Sequence, residues 1–494
     1  MSGSSNAADL SQRIWHSLAS QRGLALQATG DDLDWAGLAR RIDRIDQDLS
    51  KVGIRIGATV AVLGRNDISS AVAVLTVLAT GRCAAIINPF RPAPAILEAA
   101  LRLSPHAVIV PEGDPVADVA TASDPVFVMS AEGSLSAKGC KGSGPAHGEP
   151  RSGIVISTSG TTGEPKPFYL SRSVLSRAMP EIEAINVGFG DRRLPDGRWP
   201  PLIQYSPLAH IGGVLTLLRA AGQARPSIML GKFDAEIWAQ TVEQWRPFTT
   251  GLPPSMMRMV MKAGIDCPRL SSLVSVWSGT APLRPEDRAA FARKYGLPVL
   301  GNYGATEFCG AIAAWSLDDY RFYFSARSGA VGRLDPNIAQ VRVRASEGEL
   351  LHTEGAVGVL EFKLRRIGDC WIETSDLGSV DRDGFLFLHG RKDEHIVRGG
   401  FKLSPKTIVD VLRQHPAVRD AAVVGIADER LGQVPVAAVE LEDNAMVAPP
   451  DLQNYVRERL PAYFVPTEVR TVDHLPRNAA MKLDRRAIGD LFKG

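Results

Sequence analysis

The sequence predicts an α/β protein built on parallel sheets with helices on both faces. Two observations carry that expectation. Between residues 59 and 110, short β-branched runs alternate with helical ones: Thr59-Val60-Ala61-Val62-Leu63, Ser69 to Leu78, Ala84-Ala85-Ile86-Ile87-Asn88-Pro89, Ala93 to Leu103 and Ala107-Val108-Ile109-Val110. Strands joined through helices pair in parallel, and right-handed crossovers cover the sheet. The second is a change of character at Gly329, where short strands (Val341-Arg342-Val343, Val359-Leu360-Glu361-Phe362, Phe385-Leu386-Phe387-Leu388) and frequent turns replace the alternation. That pattern predicts a small β-barrel-like subdomain.

A chain of 494 residues has room for two or more domains with a sizeable core. With 56 basic against 54 acidic residues the charge is nearly balanced, which gives no support to a nucleic-acid partner. No apolar run approaches the roughly 18 residues of a membrane span, and Ala71 to Ala79 reads as a buried helix. The start, Met1 to Asn6, lacks the basic and apolar segments of a secretory signal. Cys83, Cys140, Cys267, Cys309 and Cys370 are odd in number and show no metal-ligand spacing. A reduced, cytoplasmic protein without a structural metal is expected. The sequence leaves a homodimer open.

Taken in order, Leu10 to Leu49 shows apolar residues at helical spacing, with Arg40-Arg41-Ile42-Asp43-Arg44-Ile45-Asp46 as a charged helix face. A Gly/Ser/Lys/Pro-rich connector between Ser134 and Ser152 leads to Ile154-Val155-Ile156-Ser157-Thr158-Ser159-Gly160-Thr161-Thr162-Gly163-Glu164-Pro165-Lys166. A strand there breaks into a loop of hydroxyls and glycines. Gly160 and Gly163 can take backbone angles closed to other residues, so successive N–H groups can converge on an anion. Ser159, Thr161 and Thr162 add hydroxyl donors, and Lys166 adds a full charge. A polar surface turn is the competing reading.

Further on, Leu202 to Leu208 reads as a strand that ends at Ala209-His210-Ile211-Gly212-Gly213. His210 is either a packed core residue or a site residue. Val214 to Leu218 looks helical, Ile228-Met229-Leu230 extended, and Asp234 to Arg246 an amphipathic helix. The strand-and-helix alternation continues through Phe248 to Pro254 and Leu273-Val274-Ser275-Val276-Trp277-Ser278-Gly279-Thr280-Ala281-Pro282-Leu283. Bare positions at Gly279 and Ala281 would let a flat ring lie against the backbone. Val299-Leu300-Gly301-Asn302-Tyr303-Gly304-Ala305-Thr306-Glu307 is a strand whose carboxyl end carries a hydroxyl and a carboxylate, although a Thr-Glu pair also commonly starts a helix. Small residues follow at Cys309-Gly310-Ala311.

Several of these segments are similar to motifs of the adenylate-forming (ANL) superfamily, and specifically of its AMP-dependent acyl-CoA and aryl-CoA synthetase branch. Thr158 to Lys166 resembles that family's phosphate loop, Tyr303 to Glu307 its Tyr-Gly-x-Thr-Glu motif, and Gly390-Arg391-Lys392-Asp393 its hinge motif. Thr374-Ser375-Asp376-Leu377-Gly378 and Leu475 to Arg486 also match, in family order. The resemblance runs from about Leu10 to the end. It implies stacked doubly wound sheets and the β-barrel-like subdomain within residues 1–391, followed by a small, mobile α+β lid of residues 392–494.

The resemblance also implies roles. Thr158, Ser159, Gly160, Thr161, Thr162, Gly163 and Lys166 would hold ATP phosphates. The turn at Gly279, Thr280 and Ala281 would lie against adenine and the acyl group, Tyr303 would stack on adenine, Asn302 and Gly304 would belong to the same nucleotide site, Asp376 would take the ribose hydroxyls, and Arg391 would reach ribose and phosphate. Thr306 would donate to the α-phosphate, Glu307 would hold Mg²⁺, and Lys482 would be the catalytic lysine, with His210 beside the reacting group. The acyl pocket would comprise His210, Ile211, Trp277, Gly301, Cys309 and Gly310. Asp393 would be the hinge, and Gly399, Gly400 and Phe401 would meet CoA. The implied reaction activates a carboxylic acid with ATP to acyl-AMP and pyrophosphate, then transfers the acyl group to CoA. No acid occurs from Tyr205 to Leu218, where amino-acid-activating relatives carry an aspartate, which disfavours an α-amino acid, and apolar Ile211, Trp277 and Cys309 point to an aryl or medium acyl group. Pro167, Ser375, Thr407 and Met481 depart from the family pattern. An enzyme that loads a separate carrier protein, and a binding-only relative, remain as alternatives.

Overall fold

The computed structural model describes residues 9–28, 30–138, 151–158, 166–185, 193–194, 197–345, 348–398, 401–478 and 482–493. The chain divides into two compact units, residues 1–328 with 365–368, and residues 329–364 with 369–494.

The first unit opens with helix α1 (Leu10–Ser20), strands β1 (Leu24–Ala28) and β2 (Asp31–Asp34), and helix α2 (Trp35–Lys51). The helical spacing expected across Leu10 to Leu49 is therefore interrupted by a hairpin. Leu24-Ala25-Leu26-Gln27-Ala28 has good helix formers, but pairing of Leu26 with Ser227 and Gln27 with Ile228 on a neighbouring strand overrides local preference. Helix α2 starts where Asp34 accepts a hydrogen bond from Gly37 N at 2.6 Å, and it buries the stripe Leu38, Ile42, Ile45 and Leu49.

Then follow β3 (Thr59–Leu63), α3 (Ile68–Ala79), β4 (Cys83–Ile87), α4 (Ala93–Leu101), β5 (Ala107–Pro111), α5 (Pro115–Val119), β6 (Val126–Met129), β7 (Leu135–Ala137), β8 (Gly153–Thr158) and β9 (Lys166–Ser171). They form a seven-stranded sheet in the order β7-β6-β5-β3-β4-β8-β9. Its five inner strands are parallel, as the alternation predicts, and the antiparallel β7 and β9 close the edges. Helix α3 is buried nearly all round because it packs on β3, β4 and β5 and also touches β1. No helix among the described residues is long and apolar enough to cross a membrane.

The unit continues with α6 (Arg172–Ile185), β10 (Leu202–Gln204), α7 (Ile211–Gly222), β11 (Ser227–Met229), α8 (Ala235–Trp245), β12 (Thr249–Gly251), α9 (Pro254–Ala263), β13 (Ser275–Ser278), α10 (Pro285–Tyr295), β14 (Val299–Ala305), β15 (Gly310–Ala314) and α11 (Leu317–Arg327). Strands β10, β11, β1 and β2 make a second sheet, and β12, β13 and β14 run parallel in a third with β15 antiparallel to β14. All three parallel strands of that third sheet end on one side, at Gly251, Ser278 and Ala305.

In the second unit, where a barrel-like subdomain was expected, β16 (Gly332–Leu334), β17 (Ala339–Arg344), β18 (Leu350–Leu351), β19 (Gly358–Leu364), β20 (Trp371–Val380) and β21 (Phe385–Arg391) form an antiparallel path in the order β16-β21-β20-β19-β17-β18. Beyond it lie β22 (Ile396–Arg398), β23 (Phe401–Leu403), α12 (Pro405–Leu412), β24 (Val418–Asp428), β25 (Gly432–Leu441), α13 (Pro449–Arg457), β26 (Glu468–Thr471) and α14 (Arg485–Asp490). Alternation along β24 sorts the two faces of this sheet. Ala421 and Val423 meet α12 and α13, while Ala422 and Val424 meet Leu475, Ile488 and Phe492.

One buried cation pins the start of β4. Arg82, 2% exposed, donates through Nε and Nη2 to Ile54 O at 3.1 and 2.9 Å, and through Nη1 to Asp46 Oδ1 at 2.5 Å and Thr80 Oγ1 at 2.6 Å. Arg82→Met leaves a buried carbonyl unanswered, so the expected loss is about 2 kcal/mol of stability, read as a lower midpoint of the first urea transition.

Candidate functional site

Strands β8 and β9 form a hairpin in strict register, with Ser157 opposite Pro167 and Thr158 opposite Lys166. The tip carries the hydroxyl- and glycine-rich loop. Ser159, Gly160, Thr161, Thr162 and Gly163 lie outside the described residues, and Lys166 is exposed where the chain resumes. The hairpin base is tight: a Cβ on Gly153, whose φ is +146°, would lie 2.1 Å from Leu170 O. The approach of β9 therefore requires glycine there.

At the carboxyl ends of β13 and β14 the sequence-predicted residues do come together. Trp277 is paired with Gly251 and Leu300, and Ser278 with Gly301. The chain then turns through Gly279 and Thr280, whose φ is +67°. A Cβ on Gly279 would sit 2.0 Å from Asn302 Oδ1, so the amide of Asn302 occupies the space that any other residue would fill. Tyr303 is 8% exposed and meets Phe308 edge-on at 6.2 Å between ring centroids. After Ala305, Thr306 and Glu307 occupy a partly exposed turn. Phe308 N donates to Ala305 O at 3.2 Å and Cys309 N to Thr306 O at 2.9 Å, which returns the chain as β15 and not as a helix. Gly304 is bare because Gly310 O would lie 2.3 Å from its Cβ.

Cys309 has a φ of +57° and is completely buried in the core. Burial pushes its thiol up to about 12, so it stays protonated. Gly310 beside it is partly exposed and abuts Leu215 and Ile182.

The turn is anchored by a residue that sequence reasoning missed. Arg366, 0% exposed, donates through Nε to Phe308 O at 2.7 Å, through Nη2 to Ala311 O at 2.9 Å, and through Nη1 to Glu181 Oε2 at 2.6 Å. Arg177 Nε in turn holds Arg366 O at 2.9 Å. Burial pushes the Glu181 carboxyl above its usual range, and the Arg366 charge opposes that shift. An arginine that directly follows another, Arg365-Arg366, carries no local signal of burial.

His210 is the residue before α7. Its N–H donates to Pro207 O at 2.9 Å, and its carbonyl accepts from Gly213 N and Val214 N at 3.0 and 3.2 Å. The segment leading to it is held from outside: Asn66 Oδ1 accepts from Leu208 N at 3.1 Å, and Ala209 N donates to Gly64 O at 3.0 Å. A Cβ on Gly213 would lie 2.2 Å from Pro207 O, so glycine is required for this entry into the helix. Ile211 stays partly exposed.

Within the second unit, Asp376 and Arg391 are cross-strand partners, with Arg391 Nη1 3.4 Å from Asp376 Oδ1. Glu394 lies 3.6 Å from Arg391 Nε and 2.7 Å from Arg485 Nη2. Asp393 falls in the short 3₁₀ turn Lys392–Glu394, and its side chain lies outside the described residues, as do Gly399 and Gly400. Phe401 is exposed and stacks on Tyr463 at 4.6 Å. Lys482 is exposed on a tight hairpin: Asn478 N donates to Lys482 O at 2.8 Å, and Lys482 N to Asn478 Oδ1 at 3.1 Å. Buried Asp420 anchors this hairpin by accepting from Arg477 at 3.0 Å, and it accepts from Arg413 as well.

Removing Arg366 strands a largely buried carboxylate and two carbonyls. Arg366→Leu is expected to cost about 3 kcal/mol, and the Glu181→Gln, Arg366→Leu double variant less than the sum of the single changes. Urea unfolding of the four proteins in the cycle checks this; strict additivity would show the two groups to be uncoupled.

Residues 18–364 match the family model for AMP-binding enzymes, and residues 408–482 that for the AMP-binding enzyme C-terminal domain. The indoleacetate–CoA ligase of Aromatoleum aromaticum is 30% identical, over 93% of this chain and 93% of its own length. The 2-succinylbenzoate–CoA ligase of Bacillus cytotoxicus is 30% identical over 69% of this chain and 70% of its own. Among solved structures, ATP-bound MatB from Rhodopseudomonas palustris superimposes with a TM-score of 0.80 at 22% identity, over 98% of this chain and 99% of that one.

Proposed function

The chain belongs to the AMP-binding enzyme family, and on that premise we propose that it is an acid–thiol ligase joining a non-amino aryl or medium-chain carboxylic acid to CoA. The observation that carries this reading is the glycine turn at Gly279, closed on one side by the Asn302 amide. It sits at the carboxyl ends of parallel strands, where open α/β sheets bind ligands, next to Asn302 and Tyr303 and one turn from Thr306 and Glu307. The relatives named as CoA ligases support the same chemistry.

The reaction has two balanced steps. A carboxylate oxygen attacks the α-phosphorus of ATP and pyrophosphate leaves with the electron pair, giving acyl-AMP. The thiolate of CoA, its proton lost to solvent, then attacks the acyl carbon and AMP leaves. In such chemistry the protein positions reactants and neutralises charge. Tyr303 packs against adenine, Thr306 donates its hydroxyl to the α-phosphate, and Asp376 with Arg391 binds the ribose. The loop from Thr158 to Lys166 takes the leaving phosphates. His210 borders the acyl carbon, with Ile211, Trp277, Gly301 and Gly310 shaping the acid pocket.

Among the described residues no three His, Cys, Asp or Glu side chains converge on a metal site. A Mg²⁺ would be held mostly by ATP oxygens with Glu307 as its protein carboxylate, where it would offset phosphate charge. Lys482 adds positive charge between the carboxylate and the α-phosphate. Because CoA must reach the same carbonyl that faced ATP, residues 392–494 act as a lid that turns about Asp393 between steps, with Phe401 near CoA. ATP, CoA and the free thiols among the described cysteines agree with a cytoplasmic setting.

The test is pyrophosphate release with Mg·ATP across fatty and aryl acids, with and without CoA. A CoA thioester is the expected product, and Lys482→Ala is expected to slow its formation by about 10²–10³-fold. A thioester formed only on an added carrier protein would move the reading to carrier loading; nucleotide binding without release for any acid would leave a binding-only protein. Asp376→Ala is expected to raise KM for ATP by about tenfold or more while the KM for the acid stays put.

A further inference from the structure

If the acid reacts near His210, its far end must lie further along α7. Leu215 abuts Gly310, and Arg219 follows one turn later on nearly the same stripe of the helix. Across from it, Tyr205 emerges from the carboxyl end of β10 and lays its ring on Gly251. A Cβ there would be 1.9 Å from Tyr205 Cε1, so glycine makes the room. Gly251 is in turn the neighbour of Trp277. Tyr205 and Arg219 therefore continue the row of residues proposed to bound the acid.

Both side chains lie deep in the unit, yet both keep some accessible surface. Burial pushes the Tyr205 phenol up to about 12 and lowers the Arg219 guanidinium from its ordinary value, and each acts electrostatically on the other. At neutral pH the pair offers one neutral hydroxyl and one cation.

What distinguishes Arg219 is that it is unanswered. Its Nε is buried, and nothing among the described residues accepts a hydrogen bond from it. Other buried arginines of this unit meet at least one acceptor: Arg82 Ile54 O and Asp46, Arg366 two carbonyls and Glu181, Arg225 Pro200 O at 2.8 Å, and Arg288 the carbonyls of Val299 and Ser328 although its Nη2 has none. The acidic group that acts on Arg219 is Glu183, whose carboxylate is already 2.6 Å from Arg13 Nη2. Arg225 adds a second positive charge to the surroundings. The surroundings of Arg219 thus carry an excess of positive charge and an unused donor, a costly arrangement unless a ligand supplies the acceptor.

We propose that Arg219 and Tyr205 form the far end of the acid pocket and select a bifunctional acid, one with a second carboxylate distal to the carboxylate that is activated. This rests on the acid–thiol ligase reading and narrows its substrate class. An aromatic or short aliphatic spacer lies along Leu215, Gly310 and Trp277, and the distal carboxylate meets the Arg219 fork with the Tyr205 hydroxyl beside it.

The experiment compares matched acids, 2-carboxyphenylacetate against phenylacetate and adipate against hexanoate. Each is tested with the full chain, Arg219→Met, Arg219→Lys and Tyr205→Phe. The native protein is expected to favour the diacid in kcat/KM by at least tenfold. Arg219→Met should erase that preference through KM, Tyr205→Phe should reduce it, and Arg219→Lys should retain part of it. Since Arg219→Met removes an unanswered buried charge, its melting temperature should hold or rise, whereas a merely structural arginine would lower it. Native preference for monoacids, or an unchanged ratio in Arg219→Met, overturns the proposal. Should no acid release pyrophosphate, the ligase reading fails by itself. Calorimetric binding of 2-carboxyphenylacetate then decides this one: loss of binding in Arg219→Met supports it, and equal binding overturns it.

Discussion

The geometry of the first unit hangs on one buried guanidinium. Arg366 enters the core from a four-residue excursion of the chain, residues 365–368, and joins three segments distant in sequence. It takes up carbonyls of Phe308 and Ala311 on either side of Cys309, and it neutralises Glu181 on α6. Without a cation there, the carbonyls of a chain that reverses direction through a left-handed residue would have no partner in the core. With it, the turn that carries Thr306 and Glu307 is fixed relative to Tyr303 and to the strand ends around Gly279. Charge, backbone reversal and site are a single structural problem with a single solution.

The second unit solves a similar problem with the opposite sign. Its buried charge is a carboxylate, Asp420, and the arginines that answer it are Arg413 on the chain after α12 and Arg477 on the hairpin that carries Lys482. In each unit the base of an accessible segment is thus tied to a buried ion. The residues proposed to face ligands are accessible, Glu307, Asp376 and Arg391 partly exposed and Lys482 exposed. Arg219 differs from these, since its buried Nε has no acceptor among the described residues.

Much of this was legible in the sequence because it depends on local periodicity. The βαβ run from Thr59 to Val110 appears as β3 to β5 with α3 and α4 between, and the change at Gly329 marks the start of the second unit. The stretch Val299 to Glu307 could be placed as a strand with functional residues at its end because turn and strand signals sit side by side. The roles given to those residues came from family likeness, whereas the close contact of Gly279 with Asn302 is a geometric fact that needed coordinates. What stayed hidden is long range. Arg366 meets Phe308 across 58 residues and Glu181 across 185, and no spacing rule reports such pairs. The strand Leu24–Ala28 was hidden for the same reason, since its partner Ser227–Met229 is far along the chain.

The central claim is that this chain adenylates a carboxylic acid before any thiol takes part. Exchange of labelled pyrophosphate into ATP tests it most directly, measured with Mg·ATP and acid in the complete absence of CoA. Exchange that requires the acid, needs no thiol and is suppressed in Lys482→Ala is the expected result. Exchange that appears only when CoA is added, or turnover that yields ADP and phosphate in place of AMP and pyrophosphate, would contradict it.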